Sequence, residues 1–168
     1  MKCRLQKILK LSGDKASIYT VVNLDTNESL FDLFLKENNI THKDEIQNII
    51  NRLRVIGHKT GARINFFKVN EGELGDGVCA LYDDPKKKLR LYCIRYGNGL
   101  IIIGGGGFKT KNIKSFQEDS KLKKENYLLR SLVKAITSKM GDKEIKLVEK
   151  GAKDDFQGNL DFELTEQE

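Results

Sequence analysis

Long apolar runs are missing from this chain of 168 residues. No stretch approaches the ~20 consecutive apolar residues that a membrane-spanning helix needs. The first residues, Met1-Lys2-Cys3-Arg4-Leu5, do not open the apolar core of a secretory signal, so a cytoplasmic location is expected. Cysteine is scarce. Cys3, Cys79 and Cys93 have no metal-ligand spacing, and any disulfide would leave one of the three over; reduced, partly buried thiols that pack are the expectation. Histidine is scarcer still, with only His42 and His58. No internal repeat is present, and the one glycine run matches neither the P-loop nor the G-x-G-x-x-G pattern. No cofactor and no metal is expected.

What is plentiful is charge. The chain is 32% charged and 39% hydrophobic, which suits one soluble globular domain with a full core. The net charge of +6 conceals an asymmetry. Residues 141–168 hold four lysines against nine carboxylates, a net −5, and residues 1–140 hold twenty-six cations against fifteen carboxylates, a net +11. A body that basic favours a polyanionic partner such as RNA or DNA; the plainer reading is a solvated lysine-rich surface.

Along the chain, residues 2–11 read as an irregular lead-in or a first strand. Ala16 to Leu24, rich in β-branched and aromatic residues, reads as a strand. Asn27 or Ser29 can cap a helix with Leu30, Phe31, Phe34 and Leu35 on its apolar side. Thr41 with Asp44 resembles a capping box for a second helix. Ile46, Ile49, Ile50 and Leu53 give that helix one buried stripe, and Gly57 is placed to end it. The two helices form a hairpin expected to pack on a sheet. A long helix spans about Asp119 to Met140, a strand follows near Lys143 to Lys150, and the acidic end is an edge strand or a loosely held tail. The resulting division is a domain at 1–140 and an acidic C-terminal extension at 141–168.

Residues 74–111 carry the most strand-like sequence. Val78 to Tyr82 is a short apolar strand, and Pro85 with Lys86 to Lys88 a polar connection. Leu89 to Tyr96 alternates, with Leu89, Leu91 and Cys93 opposite Arg90, Tyr92 and Ile94. Gly97-Asn98-Gly99 marks a tight hairpin, and Leu100 to Ile103 reads as a strand covered on both faces. This antiparallel meander ends in Gly104 to Gly107 and Phe108-Lys109-Thr110-Lys111. The glycines either let a strand bend and another backbone approach, or bring amides to a phosphate.

The order strand, helix hairpin, meander and glycine–aromatic–basic turn resembles the RelE/ParE toxin superfamily, especially its phage-derived HigB-like branch. The resemblance spans roughly residues 16–115. It rests on Leu74-Gly75-Asp76-Gly77-Val78, on Arg90-Leu91-Tyr92, and on Ile101-Ile102-Ile103 running into Gly107-Phe108-Lys109. It implies a RelE-like α+β fold, with the long helix and acidic tail as additions. It also implies a toxin of a type II toxin–antitoxin pair that cleaves mRNA on the ribosome without a metal, with an antitoxin protein as second partner. Such chemistry needs a group to activate the ribose 2′-OH, cations to hold the phosphate, and a proton donor for the leaving oxygen.

By the resemblance, Arg90, Lys109 and Lys111 hold the phosphate and Tyr92 orients or stacks on the substrate. Lys86, Lys87, Lys88, Arg95 and His58 are candidate RNA contacts. Two departures stand out. The lysine pair of the second family strand would fall near Cys79 to Leu81, where there is no cation, and the histidine before the Gly-Phe pair is Gly106. The group that moves a proton is therefore not identified, and His58, at a helix end, is the candidate. For Arg90 the competing role is an ion pair with Asp83 or Asp84. The alternative function is a non-catalytic module on the same fold, engaging nucleic acid or a protein such as gyrase. The acidic tail is a candidate built-in inhibitor that folds over the basic face.

Overall fold

The computed structural model describes all residues except 70, 84–85, 110–115 and 166–168, with backbone alone at 116–119. Alternation in the lead-in buries Cys3 and Leu5 and leaves Lys2, Arg4 and Gln6 outward, and this stretch is the strand β1 (Lys2–Lys7). β2 (Ser17–Asn23) is buried at nearly every position, as a strand covered on both faces must be. A two-residue strand, β3 (Glu28–Ser29), leads into α1 (Leu30–Asn38), and the Asp32 N–H donates to Ser29 Oγ at 3.0 Å, capping the helix. α2 (Lys43–Val55) buries Ile46, Ile49 and Leu53 as the stripe requires.

Both ends of α2 differ from expectation. The Thr41–Asp44 box does not form: His42 is the capping residue and makes no side-chain cap bond, while Thr41 Oγ1 and His42 Nδ1 share a hydrogen bond of 2.9 Å. Nor does Gly57 stop the helix. The chain continues into a π-helical turn, Ile56–Thr60, and ends at Gly61 with φ +77°. Gly57 instead serves a close approach, since a Cβ there would strike the Leu11 carbonyl, and its own carbonyl accepts from the Lys15 and Ala16 N–H groups.

The remaining elements are β4 (Phe67–Lys68), β5 (Val78–Leu81), β6 (Leu89–Tyr96), β7 (Leu100–Phe108), α3 (Phe116–Gly141), β8 (Ile145–Lys150), β9 (Lys153–Gly158) and β10 (Asp161–Glu163). The main sheet runs β10-β1-β2-β7-β6-β5-β4, with β3 paired to the end of β2. Every pairing is antiparallel except β2 with β7. β8 and β9 make a separate hairpin. Among the described residues the fold is thus mixed α+β, with three α-helices and a mostly antiparallel sheet.

Two cores lie on the two faces of the sheet. Phe31, Phe34, Ile46, Ile49 and Leu53 of α1 and α2 pack on Leu89, Leu91, Cys93, Ile101 and Ile103. Leu129, Leu132, Val133 and Ile136 of α3 pack on Val78, Tyr92, Ile94, Leu100 and Ile102. Both faces of the meander are therefore covered by helices. The glycine run lies inside β7 rather than after it. α3 is the reason: a Cβ at Gly104 would come 2.7 Å from a Leu129 methyl, and one at Gly105 would meet the Glu125 carboxylate.

The acidic stretch 141–168 supplies β8, β9 and β10. β10 pairs with β1, bringing Cys3 opposite Phe162, and the Leu164 N–H donates to the Met1 carbonyl at 2.8 Å. It is an edge strand, at the opposite edge of the sheet from β4.

Candidate functional site

At the end of the meander away from its hairpin tip, adjacent strands deliver cations to one carboxylate. Neighbouring strands lie about 4.8 Å apart, so side chains at the same level on successive strands meet. Lys68 comes from β4, Arg90 from the start of β6, and Lys109 from the residue after β7. All three reach Asp83, two residues beyond β5. Lys68 Nζ is 2.7 Å and Arg90 Nε 3.9 Å from its oxygens, and Lys109 Nζ pairs with Oδ2. The Asp83 side chain is 4% exposed, while those of Lys68, Arg90 and Lys109 keep 31%, 24% and 16% of their surface in water.

Burial pushes the Asp83 pKa up, but the Lys109 and Lys68 hydrogen bonds and the charges of Lys109 and Arg90 outweigh it and hold the carboxyl below its ordinary value. Asp83 is therefore an anion at neutral pH, met by three cations among the described residues. Burial alone would lower the Arg90 pKa; the Asp83 charge and a hydrogen bond with Tyr92 raise it instead. Burial raises the Tyr92 pKa, and Arg90 only partly offsets this.

Next to this cluster a cleft of about 650 Å³ opens between the turn joining α1 to α2 and the loop joining β5 to β6. Ile40, Thr41, His42 and Lys43 line one wall and Lys86, Lys87 and Lys88 the other. Glu45 ties the walls together: its Oε1 accepts the Lys88 N–H at 2.6 Å. The Lys109 N–H donates to the Lys88 carbonyl at 2.7 Å, so cleft and cluster share a seam of backbone. Phe108, the residue before Lys109, packs on His42 with ring centroids 5.5 Å apart.

The residues expected to act together are divided by this geometry. Arg90, Tyr92 and Lys109 converge, and Lys86, Lys87 and Lys88 stand beside them. Lys111 lies outside the described residues. Arg95 is five residues along β6 from Arg90, about 16 Å away, on the other face of the sheet. There its Nε donates to the Ala62 carbonyl at 2.7 Å and its Nη2 to Asn98 Oδ1 at 2.6 Å, pinning the hairpin tip. His58 lies in the π-helical turn, against Gly13. Tyr92 is 5% exposed and its ring packs in the α3 core, so it offers no free face for a base and works through its hydroxyl on Arg90. The ion pair between Arg90 and Asp83 forms, while Asp84 lies outside the described residues.

Two participants escaped the sequence reading, and a third, Asp83, was read only as a possible ion-pair partner of Arg90. Lys68 sits in a stretch that reads only as apolar, and its role depends on β4 pairing with β5. Asp83 reads as one acid of a loop, and nothing local marks it as the hub. His42 reads as a helix-start residue; its place beside Phe108 comes from the α2 face packing on the sheet.

The cysteines pack. Cys79 and Cys93 lie directly opposite on β5 and β6, all three thiols are free and buried, and burial pushes the Cys79 thiol up to about 12 and Cys3 to about 11. Thiols held so high are not nucleophiles at neutral pH. Among the described residues no group of His, Cys, Asp and Glu is placed to hold a metal ion, and no helix is long and apolar enough to cross a membrane. Compared with family models, curated proteins and solved structures, the chain matches none of them.

Proposed function

We propose that the protein is a RelE-like cytoplasmic toxin of a toxin–antitoxin pair that holds RNA at the Lys68–Arg90–Lys109 cluster and cleaves mRNA on the ribosome. The observation that carries this reading is the convergence of three cations on one buried carboxylate at a partly solvent-accessible end of the sheet. Asp83 orients the three cations at the place where the phosphodiester binds. In the reaction the 2′-oxygen attacks phosphorus and the bond to the 5′-oxygen breaks, giving a 2′,3′-cyclic phosphate and a 5′-hydroxyl. Arg90 and Lys109 stabilise the negative charge that builds on the phosphoryl oxygens, an interaction stronger in the transition state than before it. Tyr92 holds the guanidinium in place. The reading also draws on the resemblance in the order strand, helix hairpin and meander, to which the long helix and acidic stretch are additions. An antitoxin with an acidic segment is the complementary protein partner.

Translating ribosomes supplied with the purified protein test the reading. New 5′-hydroxyl ends on mRNA are expected from the wild type and not from Arg90→Ala. A second reading, a non-catalytic module binding nucleic acid or a protein such as gyrase, is favoured by one feature. The acid–base groups inside the cluster are Asp83, held ionised, and Tyr92, whose proton is held more tightly than usual. RNA binding without any new ends would select that reading.

A further inference from the structure

We infer that the cleft between the α1–α2 turn and the β5–β6 loop seats an unpaired nucleotide of the same RNA, its base against His42 and its phosphates along Lys86 to Lys88. The inference rests on the RNA-binding reading above and adds a second, chemically different contact to it. Four lysines face two carboxylates in the lining, Lys43 and Lys86 to Lys88 against Asp44 and Glu45. One carboxylate, Glu45, is already engaged with the Lys88 N–H. Among the described lining residues lysines outnumber carboxylates, and the volume of about 650 Å³ falls within the roughly 300–1,000 Å³ range of small-ligand sites.

Charge alone describes any anion site. What adds a base is the ring pair. His42 and Phe108 are both half-exposed and touch at 5.5 Å, and the hydrogen bond to Thr41 fixes the imidazole rotation. Ile40, 92% exposed at the lip, extends the apolar surface. Cations that track a backbone beside aromatic faces are the combination that binds single strands, because an unpaired base can leave its neighbours and stack.

The two sites lie on the two faces of one sheet end. Phe108 turns to the α2 face and Lys109 to the α3 face, one residue apart, and the Lys88 carbonyl is bonded to the Lys109 N–H. A strand passing over that end meets the cleft and then the cation cluster. Neighbouring nucleotides are therefore held on either side of the phosphate that Arg90 contacts.

Fluorescence anisotropy with a labelled octauridylate, over a range of salt, tests this on the full chain. His42→Ala should weaken binding about fivefold or more with the salt slope unchanged. The triple variant Lys86→Ala, Lys87→Ala, Lys88→Ala should lower the slope by about 2, at roughly 0.7 per phosphate contact on a single strand. A duplex RNA of the same length should bind more weakly and ignore His42→Ala. Thermal melts of each variant should match wild type, since these side chains lie at the surface. If both variants bind like wild type while Arg90→Ala loses affinity, the nucleotide seat is wrong and the cation-cluster reading stands. If wild type binds no RNA, both fall. Equal binding of polyglutamate with the same response to His42→Ala would assign the cleft to an acidic peptide and overturn the nucleotide.

Discussion

Asp155 and Asp83 are both buried carboxylates, yet they are partnered in different ways. Asp155, on β9, accepts from Ser17 Oγ at 2.7 Å and from the Tyr19 hydroxyl at 3.1 Å, with Lys7 Nζ at 2.9 Å and Lys150 Nζ at 3.4 Å. Two of its partners are neutral, and they satisfy lone pairs without adding charge. Asp83, at the far end of the sheet, is met by three cations. The first arrangement is a stitch, since it ties the C-terminal hairpin to β2. The second gathers charge. A carboxylate that only needed stabilising would not require a third cation, so the gathering of cations at Asp83 is the part that fold stability does not explain.

The comparison is broken hardest by disturbing the scaffold at one end only. Gly106 faces the Arg90 carbonyl so closely that a Cβ would collide with it. Gly106→Ala should cost about 3 kcal/mol in urea unfolding and shift the start of β6, where Arg90 sits. Gly97, at the hairpin tip with φ +63° and open space around it, should cost only about 1 kcal/mol as alanine.

Asp83→Ala comes next. Removing one partner of a buried ion pair strands the others, and the cost here is expected to be about 2 kcal/mol, below the buried-pair range because the cations keep contact with water. The same variant should bind octauridylate more tightly at low salt, because it removes a negative charge from among the three cations. Asp155→Ala should also destabilise but leave RNA affinity unchanged. A variant at Asp83 that lost both stability and RNA affinity would turn it into a second stitch.

The pH profile sharpens the contrast at Asp155. Burial pushes that carboxyl up, but hydrogen bonds from Lys7 and Ser17 outweigh it and bring the folded value to about 2, against about 3.9 unfolded. A depressed folded pKa means stability that is present above pH 4 and is lost as the pH falls toward 2. Wild type should therefore lose about 2 kcal/mol more than Asp155→Asn across that window, read from melts at successive pH values.

Smallest in stability is Arg90→Ala, expected to cost under about 1 kcal/mol because part of the side chain is in water. Its effect should appear in the salt slope of RNA binding, reduced by about 0.7. Arg95→Ala, which breaks two bonds at the hairpin tip, should do the reverse and cost about 1–2 kcal/mol with no change in slope.

Much of the scaffold could be read residue by residue. The alternation of Leu89 to Tyr96, the Ser29 cap and the Ile46–Leu53 stripe each depend on local geometry, and each forms as its pattern demands. The glycine run was legible as a place of close approach but not as the bed of α3, because the helix that lies on it begins a dozen residues later. Arg90 and Lys109 were legible as cations on strands. Arg95 lies away from them because a strand separates its two ends by several residues of rise and alternates its faces, and His58 lies in the turn after α2, against Gly13.

Local pattern was thus enough to specify the strands, the helices and the basic character of residues 1–140, since propensity and periodicity act between neighbours in the chain. It could not specify the site. Lys68, Asp83, Arg90 and Lys109 come from four different segments, and His42 from a fifth. They meet only because β5, β6 and β7 pair in order with β4 at the edge and α2 closes one face. Charges interact through space over a few ångströms, and the distances between chain-distant charges are set by sheet order and packing alone.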